Sequence, residues 1–493
     1  MSKPKILLLS DDLRMHSGVA TMSRELVLGT VANYDWVQIA GAIQHPDKGK
    51  VINMDSATAQ LTGVADAKVT LYPVDGYGNE ELLFNIMDRE KPDAIMHFTD
   101  PRFWGWLYAI ERQIRSKIPL TYLNIWDDVP YPMYNKPYYE SCDLLMSISK
   151  QTYNINKWVL GPDKVSTVDS ENTNDKTVLH YVPHGINSKM FYPIPTDDSI
   201  LKKKRKELFG NKDYEFVIFY NSRNVQRKRT SNIMLAYKAF CDNLTKEQAA
   251  KCVLVLHTEV RQDAGTDLLA VKEAFCPEYD VLFSVAKYTP EDMNVIYNIA
   301  DITINLSSNE GFGLSTAESL MAGTPIIVSV TGGLQDQTGQ VQDDGSPIEF
   351  GLHFGSNNVG KYKKHGVWAY PVYPTSQCVQ GSIPTPYIFD DMSRWQDAAE
   401  GMMYWYLAGA DKRELLGLKG RQWALNEGGI NSENMCNQFV TCMDYTLKNF
   451  KPVKTFGVFT EKDYVGNLMP GGMGFEIPVI DQEKIKLQLD IIT

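Results

Sequence analysis

The chain is short of several things, and each shortage closes off a class of protein. Cysteine is scarce: seven among 493 residues, at 142, 241, 252, 276, 378, 436 and 442, with no C-x-x-C pair. Several lie inside apolar runs such as "KCVLVLH", so they read as reduced, buried thiols of a cytoplasmic protein, not as a disulfide framework. No apolar run approaches the roughly 18 residues that a bilayer requires, and the opening "MSKPKILLLSDD" has too short an apolar core for a secretory signal. Neither a secreted nor a membrane-spanning chain is expected. Positive charge is also in deficit, with 49 Lys and Arg against 60 Asp and Glu for a net charge of −11. That balance disfavours broad adhesion to nucleic acid or anionic lipid. The local exceptions are "KKKRK" at 202–206, "RKR" at 227–229 and "KYKKH" at 361–365, which by default are solvated faces or linkers. No Asp-x-Asp triplet occurs, and no His, Cys and Glu cluster has metal-ligand spacing, so no metal site is expected.

What is present is the material of a large α/β protein. Apolar residues make up 43% and charged residues 22%, as in ordinary soluble globular chains, and the length suits two domains of roughly 200 residues each. Short apolar runs recur: "KILLLS" (5–10), "WVQIAGAI" (36–43), "DAIMHFT" (93–99), "LTYLNIW" (120–126) and "LLMSIS" (144–149). Their near-continuous hydrophobicity marks strands covered on both faces, hence a parallel sheet flanked by helices. Apolar content drops and charge rises after "YVPHGINSKMFYPIP" (181–195), which sets a domain boundary. The pattern then restarts with "FVIFYNS" (216–222), "CVLVLHT" (252–258), "VLFSVA" (281–286), "ITINLSS" (302–308) and "PIIVSV" (325–330). The fold class is therefore α/β, with two Rossmann-like domains, 1–195 and 196–430, and a final segment 431–493. From about 333 to 386 the second domain carries a Gly-, Pro-, Ser- and Gln-rich insertion in which only "VWAYPV" (367–372) looks like a strand. A structureless stretch of that length is expected to be functional or mobile.

The most informative stretch is "SSNEGFGLSTAESLMAGTPIIVSVTGG" (307–333). It reads as a strand end, a turn, a helix closed by Gly323 and Pro325, and the next strand. Ligands of open α/β sheets bind at the carboxyl ends of strands, and free amides at a helix N-terminus hold phosphate. Gly311 and Gly313 let the backbone come close. Glu310 lies in the turn, with Glu318 about two helical turns further on and near the same face. A carboxylate beside a polyanion makes sense if it accepts hydroxyl hydrogen bonds or meets developing positive charge, and a sugar offers both.

This stretch, with the preceding "VAKYTPEDMNVIYNIADITINLSS", resembles the retaining GT-B glycosyltransferases of the large Glu-x7-Glu family, which includes sucrose and lipopolysaccharide-core type enzymes. The paired glutamates, the Gly-Phe-Gly-Leu loop, "MAGTPII" and the following Gly-Gly together carry the likeness. Weaker likeness extends over roughly 400 residues. "FYNSRNVQRKR" resembles the family's Arg-x4-Lys segment, which implies Arg223 and Lys228 against the donor diphosphate, and two cations there suit a leaving diphosphate on their own account. "SDDLRMHSGVATMSREL" resembles the glycine loop facing the donor, with Gly18 opening a helix. "YVPHGINSKMF" resembles the segment that closes the N-terminal domain, with His184 where Asn is commoner. The histidine that usually follows a strand like "PLTYLNIWDD" is replaced here by Trp126, ahead of Asp127 and Asp128. His97 and His16 are the possible substitutes, although a lone histidine is more often a satisfied structural residue.

The resemblance implies sugar transfer from a nucleotide-diphosphate donor with retention of configuration, needing no cofactor. Catalysis would rest on Glu310, Arg223 and Lys228, and donor binding on Gly18, Gly311, Phe312, Gly313, Leu314 and Glu318. The N-terminal domain would take the acceptor, the C-terminal domain the nucleotide sugar, and a helix within 431–493 would cross back. Trp126, Asp127 and Asp128 are the candidate acceptor residues, since aromatic faces stack on sugars and extruded bases alike. The acceptor is a glycan or small molecule, with a modified DNA base as the alternative that the Lys361, Lys363 and Lys364 cluster leaves open. Other readings are a nucleotide-sugar epimerase or hydrolase on the same fold, or a non-catalytic nucleotide-sugar binding protein; turnover and product analysis separate them.

Overall fold

The computed structural model describes residues 2–170, 176–346 and 364–454. The apolar runs of the first half become the strands of one nine-stranded sheet. Along the chain these are β1 (Lys5–Asp11), β2 (Asp35–Ala42), β3 (Ile52–Asn53), β4 (Val69–Asp75), β5 (Ala94–Phe98), β6 (Leu120–Asn124), β7 (Leu144–Ser147), β8 (Val165–Ser166) and β9 (Thr177–Tyr181). Their spatial order is β3-β4-β2-β1-β5-β6-β7-β9-β8, and every pairing is parallel except β3 with β4. Continuous hydrophobicity has its expected cause: every residue of β5, β6 and β7 is buried, because helices cover both faces.

The second half builds a six-stranded parallel sheet from β10 (Phe216–Asn221), β11 (Cys252–His257), β12 (Val281–Ser284), β13 (Ile302–Asn305), β14 (Ile326–Ser329) and β15 (Ala369–Val372). The order β12-β11-β10-β13-β14-β15 is the doubly wound arrangement, whose direction reverses between β10 and β13. In the first sheet the reversal falls between β1 and β5. Chains leaving such strands part to opposite sides and open a crevice, so ligands are expected beyond the carboxyl ends of these four strands.

Both sheets lie within one compact unit that ends at Val453. The helix Ser432–Asn449 packs on the first half: the Phe439 ring stacks on Trp36 at 5.8 Å between centroids, and the Tyr34 hydroxyl donates to Asp444 at 2.6 Å. Among the described residues no helix is long and apolar enough to cross a membrane.

Two expectations need correction. The stretch from 333 to 386 is not structureless where it is described, since after β15 it forms an antiparallel hairpin of β16 (Pro374–Ser382) and β17 (Thr385–Ser393). All of β16 after Pro374 is exposed, so its sequence carries none of the apolar alternation that marks a half-buried strand. This hairpin also holds the single exposed thiol among the seven unpaired cysteines, Cys378, where buried thiols were expected. Residues 347–363 and 455–493 lie outside the described set, and with them Lys361, Lys363 and most of the tail.

Candidate active site

Three of the four strand ends at the two reversals, those of β1, β10 and β13, carry the catalytic and donor-side residues singled out above, and the candidate acceptor residues follow β6. After β1, Asp12 is fully buried and accepts a two-pronged bond from Arg14 (Nε 3.0 Å, Nη2 2.7 Å) and a bond from His45 Nε2 at 2.8 Å. Burial alone would raise its pKa, but the Arg14 guanidinium and His45 outweigh that and hold it below the usual carboxylate range. The anchored loop delivers Ser17, whose hydroxyl accepts from the Ala20 amide at 3.0 Å and donates to Asp11 at 2.7 Å, as the cap of the helix Gly18–Thr30. A β-carbon on Gly18 would stand 3.3 Å from Leu314, the first residue of the helix Leu314–Ala322 in the other half. Two helix N-termini therefore face one another, each with unpaired first-turn amides and a positive dipole end.

The turn after β13 is shaped by glycines. Gly313 has φ +89°, and a β-carbon there would come within 2.4 Å of Leu334. Gly332 and Gly333 let the loop after β14 close over the turn: a side chain on either would strike the carbonyl of Glu310 or Gly311, at 2.0 and 2.2 Å, and the Gly333 amide donates to the Glu310 carbonyl at 2.8 Å. Gln337 Nε2 holds the carbonyls of Phe312 and Gly313 at 2.6 and 2.9 Å. Phe312 is buried edge-on against His184 of the first half, 5.4 Å between centroids. His184 is kept neutral by burial, its pKa lowered to about 3. Gly311 approaches the carbonyl of Ile125 and the side chain of Ile148.

Glu310 is ion-paired with Lys228, their side chains 12% and 9% exposed. Burial pushes the Glu310 carboxyl upward, but the Lys228 ammonium and the Arg227 guanidinium prevail and keep it ionised. Arg227, which the sequence argument passed over, donates to the Asn309 carbonyl at 2.7 Å and stands 3.8 Å from Asp127. Arg223 is exposed at the end of β10, its side chain bonded to no other described residue. The "RKR" run at 227–229 already held the missing signal, because a short helical turn at Gln226–Lys228 aims consecutive cations in different directions.

Glu318 accepts from the Tyr297 hydroxyl at 2.7 Å, and that hydroxyl accepts from Asn221 at 3.0 Å. Burial lifts the Glu318 carboxyl to about 7. Asp127 and Asp128 sit opposite, on the loop after β6. Asp128 is buried, accepts from the Asn309 amide, and is pushed well above the carboxylate range by burial and by neighbouring Asp127.

Trp126 is placed otherwise than expected. It is only 7% exposed, its indole N–H donates to the Asp128 carbonyl at 2.8 Å, Tyr134 packs edge-on at 5.7 Å, and the Arg102 guanidinium covers the ring at 5.3 Å. Its ring is part of the core of the first half and presents no open face for stacking. His97 is likewise a satisfied core residue, bonded to Tyr108 and Thr99 and stacked on Tyr122 at 4.8 Å.

Comparison with known proteins agrees with this layout. Residues 202–359 match the family model described as glycosyl transferases group 1. No curated protein sequence matches the chain. Among solved structures, sucrose-phosphate synthase from Thermosynechococcus elongatus is similar with TM-score 0.60 at 17% identity, over 91% of this chain and 100% of that one. The Anabaena protein HepE, in complex with UDP and glucose, is similar with TM-score 0.59 at 13% identity, over 90% and 99%. An Escherichia coli trehalose-6-phosphate protein bound with UDP-2-fluoro glucose gives 0.60 at 11%, over 91% and 100%. The fold is GT-B, two Rossmann-like halves across a crevice. The chain has the GT-B fold, and its second half is similar to the group 1 glycosyl transferases over residues 202–359.

Proposed function

We propose that the protein is a retaining glycosyltransferase that takes its sugar from a nucleoside-diphosphate donor and needs no metal ion. The observation that carries this reading is the buried Lys228–Glu310 pair, seated beside the place where the helices starting at Gly18 and Leu314 converge. The diphosphate would lie against those helix ends and Lys228, which stabilise the charge that grows on it as the glycosidic bond breaks. The ionised Glu310 would face the sugar, where an oxocarbenium-like centre develops positive charge. Glu318, with Tyr297 behind it, would accept from the ribose hydroxyls. Structures similar in fold hold UDP or a UDP sugar, which supports a nucleotide sugar as the donor. Seven unpaired thiols support a cytoplasmic setting.

For the acceptor, Asp127 on the loop after β6 favours a hydroxyl-rich glycan or small molecule, because a carboxylate accepts from hydroxyls and repels phosphate, while buried Asp128 braces that loop through Asn309. The DNA-base alternative rests on a basic segment of which only Lys364 is described, its ammonium donating to the Asp343 carbonyl; Lys361 and Lys363 lie outside the described residues. Metal independence is tested directly. Sugar transfer should survive excess EDTA at full rate; loss of activity restored by manganese would refute this part of the reading.

Donor binding should depend on pH through Glu318. With a carboxyl that ionises at about 7 and must be ionised to accept from two hydroxyls, UDP affinity should rise about tenfold between pH 6 and pH 8. In Glu318→Gln that rise should shrink to whatever the phosphate itself contributes. Calorimetric titration of UDP across this range decides it, and an unchanged profile in the variant would remove Glu318 from the ribose.

A further inference from the structure

Asn309 is 3% exposed and stands where three separate segments meet. Its side-chain amide uses both hydrogens, one toward Asp128 on the loop after β6 and one toward the Phe389 carbonyl of β17 at 2.7 Å. Its side-chain oxygen accepts from the Ser308 hydroxyl at 2.9 Å, and its main-chain carbonyl accepts from Arg227 at 2.7 Å. The next residue is Glu310. A primary amide is the one neutral side-chain group that can give two hydrogens and accept at the same time; Asp or Leu at this position could not make these contacts.

The loop that Asn309 grips belongs to the first half, whereas Glu310 belongs to the second. Strand β17 locks the same loop from a third side, with the Phe389 amide donating to the Val129 carbonyl at 2.7 Å and the Tyr134 hydroxyl donating to the Tyr387 carbonyl at 2.9 Å. We propose that Asn309 is a positioning residue that makes the pose of Glu310 depend on the seating of the 126–128 loop, so that the reacting carboxylate is in place only when the acceptor-side loop is. This rests on the role given to Glu310 above. The donor, held mainly by Glu318 and the helix ends, should bind without it.

The test uses the full chain and whichever sugar from a panel of UDP-, GDP- and ADP-sugars the wild-type protein hydrolyses fastest in the absence of acceptor, with the matching nucleoside diphosphate as the binding probe. Asn309→Ala should lower kcat for hydrolysis at least about tenfold, with diphosphate Kd within about twofold of wild type. Asn309→Asp sets a carboxyl against Asp128 and should lose more. The exchange Asn309→Asp with Asp128→Asn returns one hydrogen bond with donor and acceptor reversed, and should regain at least about fivefold over Asn309→Asp alone. Three results overturn the proposal: an Asn309→Ala kcat equal to wild type, an exchange variant no better than Asn309→Asp, or diphosphate affinity falling in step with kcat. A wild-type protein that hydrolyses none of the sugars overturns the glycosyltransferase reading, and the proposal falls with it.

Discussion

Replacing Glu310 by Gln should lower turnover by about a thousandfold while nucleoside-diphosphate affinity changes by less than about threefold. The reason lies in what the carboxylate meets. Its charge is maintained in a buried setting by Lys228 and Arg227, and a negative group held dry and fixed acts strongly on positive charge developing beside it. Gln keeps the volume and loses the charge, so the transition state suffers and the bound diphosphate does not. Steady-state hydrolysis or transfer rates, set beside diphosphate titrations, separate the two. Losses that fall chiefly on affinity would place Glu310 on the wrong part of the donor.

Lys228→Ala should be damaging in a second way. It removes the cation expected at the leaving diphosphate, costing turnover about a hundredfold, and it leaves Glu310 buried without its principal partner. Breaking a buried ion pair from one side costs about 3 kcal/mol or more. The pH dependence carries a definite sign. In the wild type Glu310 ionises below its ordinary value, so its contribution to stability is present above about pH 4.5 and is lost as pH falls through its lowered value. In the variant burial is opposed only by Arg227 and the weaker hydrogen bond from Asn305, the carboxyl rises, and the cost appears as pH increases. The deficit in Tm relative to wild type should therefore be larger at pH 7.5 than at pH 5. An equal deficit at both would mean that the pair does not hold Glu310 ionised.

How much of this was legible beforehand depended on whether a feature was local. The strands β1, β5, β10 and β13 announce themselves because burial on both faces requires unbroken apolar runs. The turn at 310–313 announces itself because Gly313 must take a positive φ and Gly332 and Gly333 must pass against main-chain carbonyls; such needs leave glycines in the sequence. Strand β4 was harder to see, as Pro73 interrupts "VTLYPVD", and the β16–β17 hairpin could not be seen at all through its exposed residues. Side chains whose meaning comes from a distant partner were misread or missed. Trp126 looks like a stacking platform until Arg102 and Tyr134 close over it. Arg227 and Asn309 acquire roles only when the loop after β6 and strand β17 arrive beside them. Asp336 belongs to the same group, tying the halves by accepting from the Lys150 amide at 2.9 Å and the Tyr181 hydroxyl at 3.2 Å.

The central claim is that the crevice binds a nucleotide sugar and breaks its bond to the diphosphate. Phosphorus NMR of the full chain incubated with UDP-, GDP- and ADP-sugars reads that event directly. At least one sugar should release its nucleoside diphosphate with time, at a rate that collapses in Glu310→Gln and is indifferent to EDTA. A folded wild-type protein that leaves every donor intact, or a Glu310→Gln variant as fast as wild type, would contradict the account.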